Sequence, residues 1–217
     1  MAKHLTKKQR EELSSRHAGT KSRRNEGTRE LFYSFLIVSE GTKTEPEYFR
    51  HFTSRRSRVQ VVGADRSTRK LLEEALRIRD LGTFDYKWLV FDKDDNEDFN
   101  EAIQLAEKAG FQCAWSNESF ELWFCLHFID LRTSVSRRQY IDILEREIRR
   151  YVPEFTYKKG GDVMYDILRK YGSQENAVLR AQNLRLAYSG TDYASHNPCT
   201  TVDILVDKLK RIFWWTS

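Results

Sequence analysis

The chain has few cysteines and no long apolar run. Its three cysteines, Cys113, Cys125 and Cys199, lie far apart and lack the paired spacing of a zinc site or a disulfide framework, so we expect reduced thiols. No stretch approaches the roughly eighteen uninterrupted apolar residues of a membrane-spanning helix. The first thirty residues also lack the apolar segment of a signal peptide. We therefore expect a cytoplasmic protein with no membrane partner.

Several catalytic motifs are also missing. The stretch "GTKT" at residues 41–44 lacks the upstream glycine that completes a phosphate-binding P-loop. The sequence contains neither a Gly-x-Gly-x-x-Gly fingerprint nor a Gly-x-Ser-x-Gly elbow, and its five histidines show no zinc spacing. These absences argue against a P-loop protein, a dinucleotide-binding enzyme, a serine hydrolase and a zinc enzyme.

The positive charge is concentrated at the start of the chain. Residues 1–30 hold nine Lys and Arg but only four acids, so the net charge of +5 lies entirely there. The remaining chain is electrically balanced, and with 40% hydrophobic residues overall it can bury a core. Residues 1–30 show no apolar periodicity, so we predict a basic flexible arm that either stays solvated or holds phosphates by charge.

Short apolar segments alternate with amphipathic ones as far as about residue 130. Strands are predicted at 31–40, 58–64, 86–92 and 111–117. Helices are predicted after them at 44–55, 67–80, 96–110 and 119–128. This order predicts an α/β fold with a four-stranded, mainly parallel sheet and helices on both faces.

The rest of the chain shows helical spacing without clear strands. Further helices are predicted at 136–152, 161–172, 174–189 and 198–215. We therefore divide the chain into the basic arm at 1–30, an α/β core at 31–130 and a helical extension at 131–217 that packs on the core. A small separate helical subdomain is the alternative for this last part.

Carboxylates lie at the ends of three of the four predicted strands. Glu40 ends the first strand, Asp92 ends the third with Asp94 two residues later, and Glu118 follows the fourth. Ligands of open parallel sheets bind beyond the carboxyl ends of the strands. Close carboxylates repel unless a cation lies between them, and such oxygen ligands suit Mg²⁺ or Mn²⁺. Gly41 would let a phosphate approach the backbone beside Glu40, so we predict a metal and phosphate site at this edge.

Some of these acids have alternatives or purely structural explanations. Asp95 either replaces Asp94 in the site or caps the helix that follows. Glu121 is the alternative to Glu118 as a ligand. Glu45 lies where an acid stabilises the first turn of a helix.

Two strings of this sequence resemble a known domain. The pair "IVSEGTKTE" and "VFDKDD" resembles the strand-Glu-Gly and strand-Asp-x-Asp elements of a Toprim domain. The longer set "SEGTKTEPEYF", "FDKDDN", "WSNESFELWFCLHF" and "NPCTTVDILVDKL" resembles the RloB-like family over residues 31–210. The third acid at Asp95, with no glycine soon after it, departs from the Toprim pattern and leaves open which aspartates form the pair.

The resemblance implies a Toprim-like fold and a metal-dependent nuclease of bacterial restriction or anti-phage loci, with Mg²⁺ or Mn²⁺ as the cofactor. We assign the catalytic roles to Glu40, Asp92, Asp94 and Lys158. The predicted metal ligands are Glu40, Asp92, Asp94 and Glu118. The predicted nucleic-acid contacts are Lys43, Lys93, Lys159, Arg137, Arg138 and His196.

Other functions and partners remain in view. The chain could instead be a non-catalytic nucleic-acid-binding or regulatory subunit on the same scaffold. A strand-passage fragment ranks last, because no tyrosine-bearing companion domain is evident. DNA and RNA are both candidate substrates. The genetic setting of the family implies a partner ATPase, and Trp214 and Trp215 are candidate contacts of a homodimer.

Overall fold

Four parallel strands form the centre of the fold. The computed structural model describes residues 33–53, 57–65, 68–78, 80–94, 96–160 and 163–214. The strands are β1 (Tyr33–Ser39), β2 (Ser57–Gly63), β3 (Tyr86–Asp92) and β4 (Gln112–Ser116). They pair in the order β2-β1-β3-β4, and every pairing is parallel. The predicted α/β fold with a parallel sheet is confirmed.

Eight α-helices are present in the described ranges. They are α1 (Thr44–Arg50), α2 (Thr68–Leu76), α3 (Phe99–Lys108), α4 (Glu121–Leu126), α5 (Arg137–Arg149), α6 (Val163–Tyr171), α7 (Gln174–Leu186) and α8 (Val202–Trp214). Short 3₁₀ turns occupy Leu81–Thr83 and Tyr193–Ser195. The connection after each of the first three strands contains one helix, which is the usual way to join parallel strands.

The sheet separates two hydrophobic clusters because side chains alternate between its faces. Phe35 and Ile37 of β1 point into a large cluster with α1, α4 and α5 and with the helices that follow. Leu36 and Val38 point into a smaller cluster with α2 and α3. The continuous apolar run of β1 is therefore buried on both sides, as expected of a central parallel strand.

The C-terminal part of the chain completes the edge of the sheet. Thr200 forms an antiparallel bridge with Ser116 at the end of β4. The backbone N–H of Thr201 donates to Trp115 O at 2.8 Å, and the N–H of Asn117 donates to Cys199 O at 2.8 Å. Helices α5 to α8 also contribute to the larger hydrophobic cluster. The helical extension thus shares its core with the strands.

Several helices are shorter than predicted, and near two of the shortened ends a residue has a positive φ. Helix α2 ends at Leu76, and Asp80, which was predicted to end it, has a positive φ of 62°. Glu118 has a positive φ of 71°, and helix α4 begins only at Glu121. The basic arm at 1–30, Asp95 and Trp215 lie outside the described residues, as does the side chain of Trp214.

Candidate functional site

The candidate site lies where the strand order changes direction. The chain passes from β1 to β2 on one side and then returns to β3 on the other side of β1. In α/β sheets, this change opens a crevice beyond the carboxyl ends of the two central strands. Glu40 follows β1, and Asp92 ends β3. The N–H of Glu40 donates to Val90 O at 2.8 Å, and the N–H of Asp92 donates to Glu40 Oε2 at 3.3 Å.

A cleft of about 430 Å³ opens at this place. It brings together most of the residues predicted to form the site with several others. Its lining consists of Glu40, Gly41, Thr42, Lys43, Thr44, Glu45, Asp65, Asp92, Asp94, Phe120, Glu121, Arg137 and Lys159. Segments that are far apart in sequence therefore place six carboxylates and three cations around one space.

Arg137 connects the two predicted aspartates. Its Nη2 lies 3.2 Å from Asp92 Oδ2, and its Nη1 lies 3.1 Å from Asp94 Oδ2. The same Nη2 donates to the backbone carbonyl of Glu118 at 3.4 Å. Arg137 is the first residue of α5, so a helix of the C-terminal part holds the guanidinium over the end of β3. This cation partly neutralises the acidic cleft.

The carboxyl groups at the strand ends are shifted toward their protonated forms. Burial raises the pKa of Asp92 well above its usual value, and the carboxylates of Glu45 and Glu121 raise it further, whereas Arg137 lowers it. Burial also raises the pKa of Glu40, against hydrogen bonds from Asp92 and Asn96. Such crowding of buried acids favours the binding of a cation.

Glu45 and Glu121 are buried acids of this cleft; Glu121 was the predicted alternative to Glu118 as a ligand, whereas Glu45 was explained as a first-turn acid. Glu45 is 7% exposed, and its pKa rises to about 7, first through burial and then through the charge of Glu121. Glu121 is 3% exposed and accepts a hydrogen bond of 2.8 Å from the hydroxyl of Tyr157. Glu45 has the sequence position of an ordinary first-turn acid, and Asp65 follows β2 without any motif.

The predicted ligand Glu118 is placed differently from Glu121. The Glu118 carboxylate accepts a hydrogen bond from Asn197 Nδ2 at 3.3 Å, and Glu118 is not part of the cleft lining. The positive φ of Glu118 turns the chain there before α4 begins. The structure thus brings Glu121 into the cleft instead of Glu118.

The predicted cations divide into two groups. Lys43, Lys159 and Arg137 line the cleft, whereas Lys158 and Arg138 are exposed residues outside its lining. Lys93 Nζ donates to Asp94 O at 3.0 Å beside the cleft. Gly160, with a φ of +91°, lets the chain after Lys159 approach α1, since an added Cβ would stand 3.2 Å from Glu47 Oε1.

His196 lies apart from the carboxylates. It is buried and stacks on Tyr188 with 4.7 Å between the ring centroids and 12° between the planes. It lines a separate cavity together with Trp115 and Tyr193. The predicted nucleic-acid contact of His196 is therefore not brought to the cleft.

The carboxylates of the cleft are ligands of the kind that divalent cations bind. Within the described ranges, no group of three or more His, Cys, Asp or Glu side chains is arranged to hold a metal ion. Mg²⁺ in proteins is commonly held by one or two carboxylates, with water and substrate phosphates completing its shell. Glu40 and Asp92 supply such a pair. Both residues line the cleft, and the N–H of Asp92 donates to Glu40 Oε2. The oxygen chemistry fits Mg²⁺ or Mn²⁺, with Arg137 as the cation now bound to the aspartates.

No helix in the described part of the chain is long and apolar enough to span a membrane.

Comparison with known proteins identifies the family. No curated protein and no solved structure shows significant similarity to the chain. The family model described as RloB-like protein matches residues 35–209, which include the whole cleft, strands β2 to β4 and all of β1 but its first two residues. The chain therefore belongs to the RloB-like family.

Proposed function

We propose that the protein is a nuclease that hydrolyses phosphodiester bonds of DNA or RNA and depends on Mg²⁺ or Mn²⁺. The observation that carries this proposal is the cleft at the switch point of the sheet, where Glu40, Asp92 and Asp94 face Arg137, Lys43 and Lys159. Carboxylates suit a hard cation, and the basic groups suit the phosphates of a polynucleotide. The resemblance of these strand ends to a Toprim domain supports the same chemistry.

Each group of the cleft has a proposed role. Glu40 and Asp92 would hold the divalent cation, with water and substrate phosphate completing its shell, and Asp94 and Glu121 are further candidate ligands in the same cleft. When bound, such a cation lowers the pKa of water and neutralises charge on the phosphoryl oxygens. The alternative role of Glu40 is that of a general base: burial raises its pKa, which suits it to accept a proton from the attacking water when it is not itself a ligand.

The basic residues around the cleft would orient the substrate. Arg137 can exchange its contacts with Asp92 and Asp94 for the scissile phosphate, because a guanidinium binds phosphate and carboxylate oxygens in the same forked geometry. Lys43 and Lys159 line the same cleft and would contact further phosphates of the polynucleotide. Lys158 is exposed next to Lys159 and would contact a phosphate only outside the cleft.

We also propose where and with which partners the protein acts. The family resemblance supports a role in anti-phage defence in the cytoplasm, together with a partner ATPase. The basic segment at residues 1–30 would add charge-based contacts to nucleic acid. A homodimer is compatible with these roles.

The direct test is a cleavage assay with a parallel measurement of metal binding. Purified protein is incubated with end-labelled single-stranded and duplex DNA and RNA, in Mg²⁺, in Mn²⁺ and in EDTA. Binding of Mn²⁺ is followed separately by paramagnetic resonance. We expect cleavage only with a divalent cation, and we expect Asp92→Asn to remove both cleavage and tight Mn²⁺ binding.

A matched variant controls for the loss of an acid. Asp142 is an exposed aspartate on α5 that does not line the cleft, so Asp142→Asn should leave both properties unchanged. Wild-type protein that neither cleaves any of these substrates nor binds Mn²⁺ would contradict the proposed nuclease.

The second candidate function is nucleic-acid binding without catalysis. It is favoured by the contacts of Arg137, which already occupies one oxygen of each aspartate. This alternative predicts salt-sensitive binding that Asp92→Asn does not weaken, together with no cleavage under any of the conditions above.

A further inference from the structure

Another cavity, separate from that of His196, lies at the other end of α1 from the carboxylate cleft. Its volume is about 590 Å³, which is within the usual range for small-molecule sites. It is bounded by the last turn of α1, by α6 and by the connection from α6 to α7. It shares no lining residue with the cleft. The proposed nuclease chemistry leaves this cavity without a role.

One wall of the cavity is aromatic. His51 and Tyr165 stack with 4.0 Å between their centroids and 2° between their planes. Tyr48 and Phe52 each lie 5.9 Å from the ring of Tyr165. His51 and Tyr165 are both partly exposed, so another planar ring can join this aromatic wall. Stacking of this kind is how proteins bind nucleobases without regard to sequence.

Groups that can form hydrogen bonds line the same space. His127 is 4% exposed, and its Nδ1 is 2.9 Å from Trp123 O, which assigns the proton to Nδ1 and leaves Nε2 as an acceptor. Burial lowers the pKa of His127 to about 4, so the ring is neutral near pH 7. The amide nitrogen of Gln174 is buried and has no hydrogen-bond partner in the described part of the chain. One acceptor and one amide donor match the polar edge of a nucleobase.

Two cations also line the cavity. The side chain of Arg169 is 75% exposed, and its Nη2 is 3.8 Å from Asp166 Oδ1, which leaves the guanidinium accessible to an anion. Lys210 of α8 is half-buried and lines the same cavity. Glu175 is the one acid in the lining, while Asp166 lies beside Arg169 and Asp207 acts on Lys210 from outside the lining. Aromatic rings beside accessible cations suit a ligand that combines a base with a phosphate.

We infer that this cavity is a nucleotide-binding site, in which the base stacks at Tyr165 and the phosphate binds Arg169 and Lys210. The nucleotide could be free, or it could be one unit of a polynucleotide strand. Thr44 lines the cleft and His51 lines the cavity, and seven helical residues span about 10 Å. A short strand can therefore reach from one to the other. The inference concerns binding alone and does not rest on the proposed cleavage.

The test measures binding in EDTA, so that metal-dependent cleavage cannot contribute. The probes are AMP, inorganic phosphate and a 5′-phosphorylated adenine pentanucleotide, each titrated by calorimetry against the full chain. Arg169→Glu reverses the charge at the cavity. Its control is Arg77→Glu, because Arg77 also pairs with an acid three residues earlier, is 69% exposed and does not line the cavity.

We expect Arg169→Glu to weaken nucleotide binding at least tenfold and Arg77→Glu to leave it unchanged. Tyr165→Leu should weaken it by about tenfold through lost stacking, with circular dichroism confirming the fold. If AMP binds with this sensitivity, the source is a free nucleotide; if only the pentanucleotide does, the source is a strand. The inference is overturned if neither binds, if phosphate binds as tightly as AMP and the pentanucleotide, or if both arginine variants lose affinity equally.

Discussion

The carboxylate of Glu45 packs directly against Gly41. A Cβ placed on residue 41 would stand 2.8 Å from Glu45 Cδ, and the three atoms nearest to it all belong to Glu45. Gly41 is not among the residues with positive φ, so the backbone there would accept alanine. The glycine after β1 is required by the buried acid of α1, which packs where a side chain at residue 41 would lie.

This contact makes the effect of Gly41→Ala depend on residue 45. In the wild-type chain, we expect Gly41→Ala to lower the free energy of unfolding by about 1–3 kcal/mol through overpacking. In a Glu45→Ala background, the same change should be neutral or stabilising by about 0.4–1 kcal/mol, since alanine restricts the unfolded chain. Urea unfolding of the four variants measures this coupling. Equal costs in both backgrounds would mean that Glu45 does not limit residue 41.

The buried position of Glu45 also predicts a pH dependence. Its pKa is raised from 4.5 to about 7, so between these values the folded chain keeps a proton that the unfolded chain has released. The free energy of unfolding should therefore fall as the pH rises through this window. Glu45→Gln cannot ionise and should remove on the order of 3 kcal/mol of that fall.

The pH prediction is tested by urea unfolding in EDTA, at about pH 5 and about pH 8. Glu73→Gln is the control, because Glu73 is an exposed acid on α2. A difference between the two pH values that is the same in wild type and Glu45→Gln would show that Glu45 ionises normally.

Arg137 and a divalent cation should compete for the same oxygens. Arg137 contacts Oδ2 of both Asp92 and Asp94, so Arg137→Met frees these atoms. We expect Mg²⁺ to raise the melting temperature of this variant more than that of wild type. A tenfold gain in affinity at saturating Mg²⁺ corresponds to about 1.4 kcal/mol, or roughly 3–5 °C.

Cleavage should respond in the opposite direction to metal binding. Arg137→Met loses a proposed phosphate contact, so its cleavage rate should fall although Mg²⁺ binds more tightly. The neighbouring Arg138 is exposed and does not line the cleft, so Arg138→Met should behave as wild type in both assays. A smaller Mg²⁺ shift in Arg137→Met than in wild type would refute the competition.

The buried ion pair between Arg185 and Asp203 should contribute much more to the free energy of unfolding than the exposed pair between Asp207 and Arg211. Asp203 is 2% exposed, and Arg185 Nη2 donates to its Oδ2 at 2.8 Å, while Arg185 Nη1 donates to Thr200 O at 2.8 Å. Asp203→Asn removes the negative charge and one acceptor oxygen beside a partly buried guanidinium and should cost about 2–3 kcal/mol.

The same helix supplies the comparison for this ion pair. Asp207 pairs with Arg211 at 2.8 Å, but both side chains are largely exposed, so Asp207→Asn should cost less than about 1 kcal/mol. Thermal unfolding of the two variants compares them directly. Equal losses would indicate that burial of Asp203 adds nothing to the pair.

The sheet could be predicted from the sequence because each strand is marked by a short apolar run and by the residues directly beside it. The apolar run of β1 and the glycine and acids around it predicted both the strand and the placement of Glu40 at its end. Asp92 and Asp94 were found in the same way. Arg137 was predicted to contact nucleic acid, but its contacts with the aspartates depend on how α5 packs over β3, which no local pattern encodes.

Other parts of the site could not be read from the sequence for similar reasons. Glu45 has the ordinary position of a first-turn acid, and only tertiary packing buries it. The choice between Glu118 and Glu121 depends on the positive φ of Glu118 and on a partner, Asn197, that lies 79 residues away along the chain. Propensity and spacing carry no information on either relationship.

The backbone hydrogen bonds between β4 and residues 199–201 have a consequence for cooperativity. The outer edge of β4 is closed by chain that arrives more than eighty residues later, since Trp115 N donates to Thr201 Oγ1 across that separation. Neither β4 nor residues 199–201 can then lose their native structure without breaking backbone hydrogen bonds of the other. Heating should therefore produce a single transition, and a fragment ending near residue 130 should aggregate through its bare strand edge.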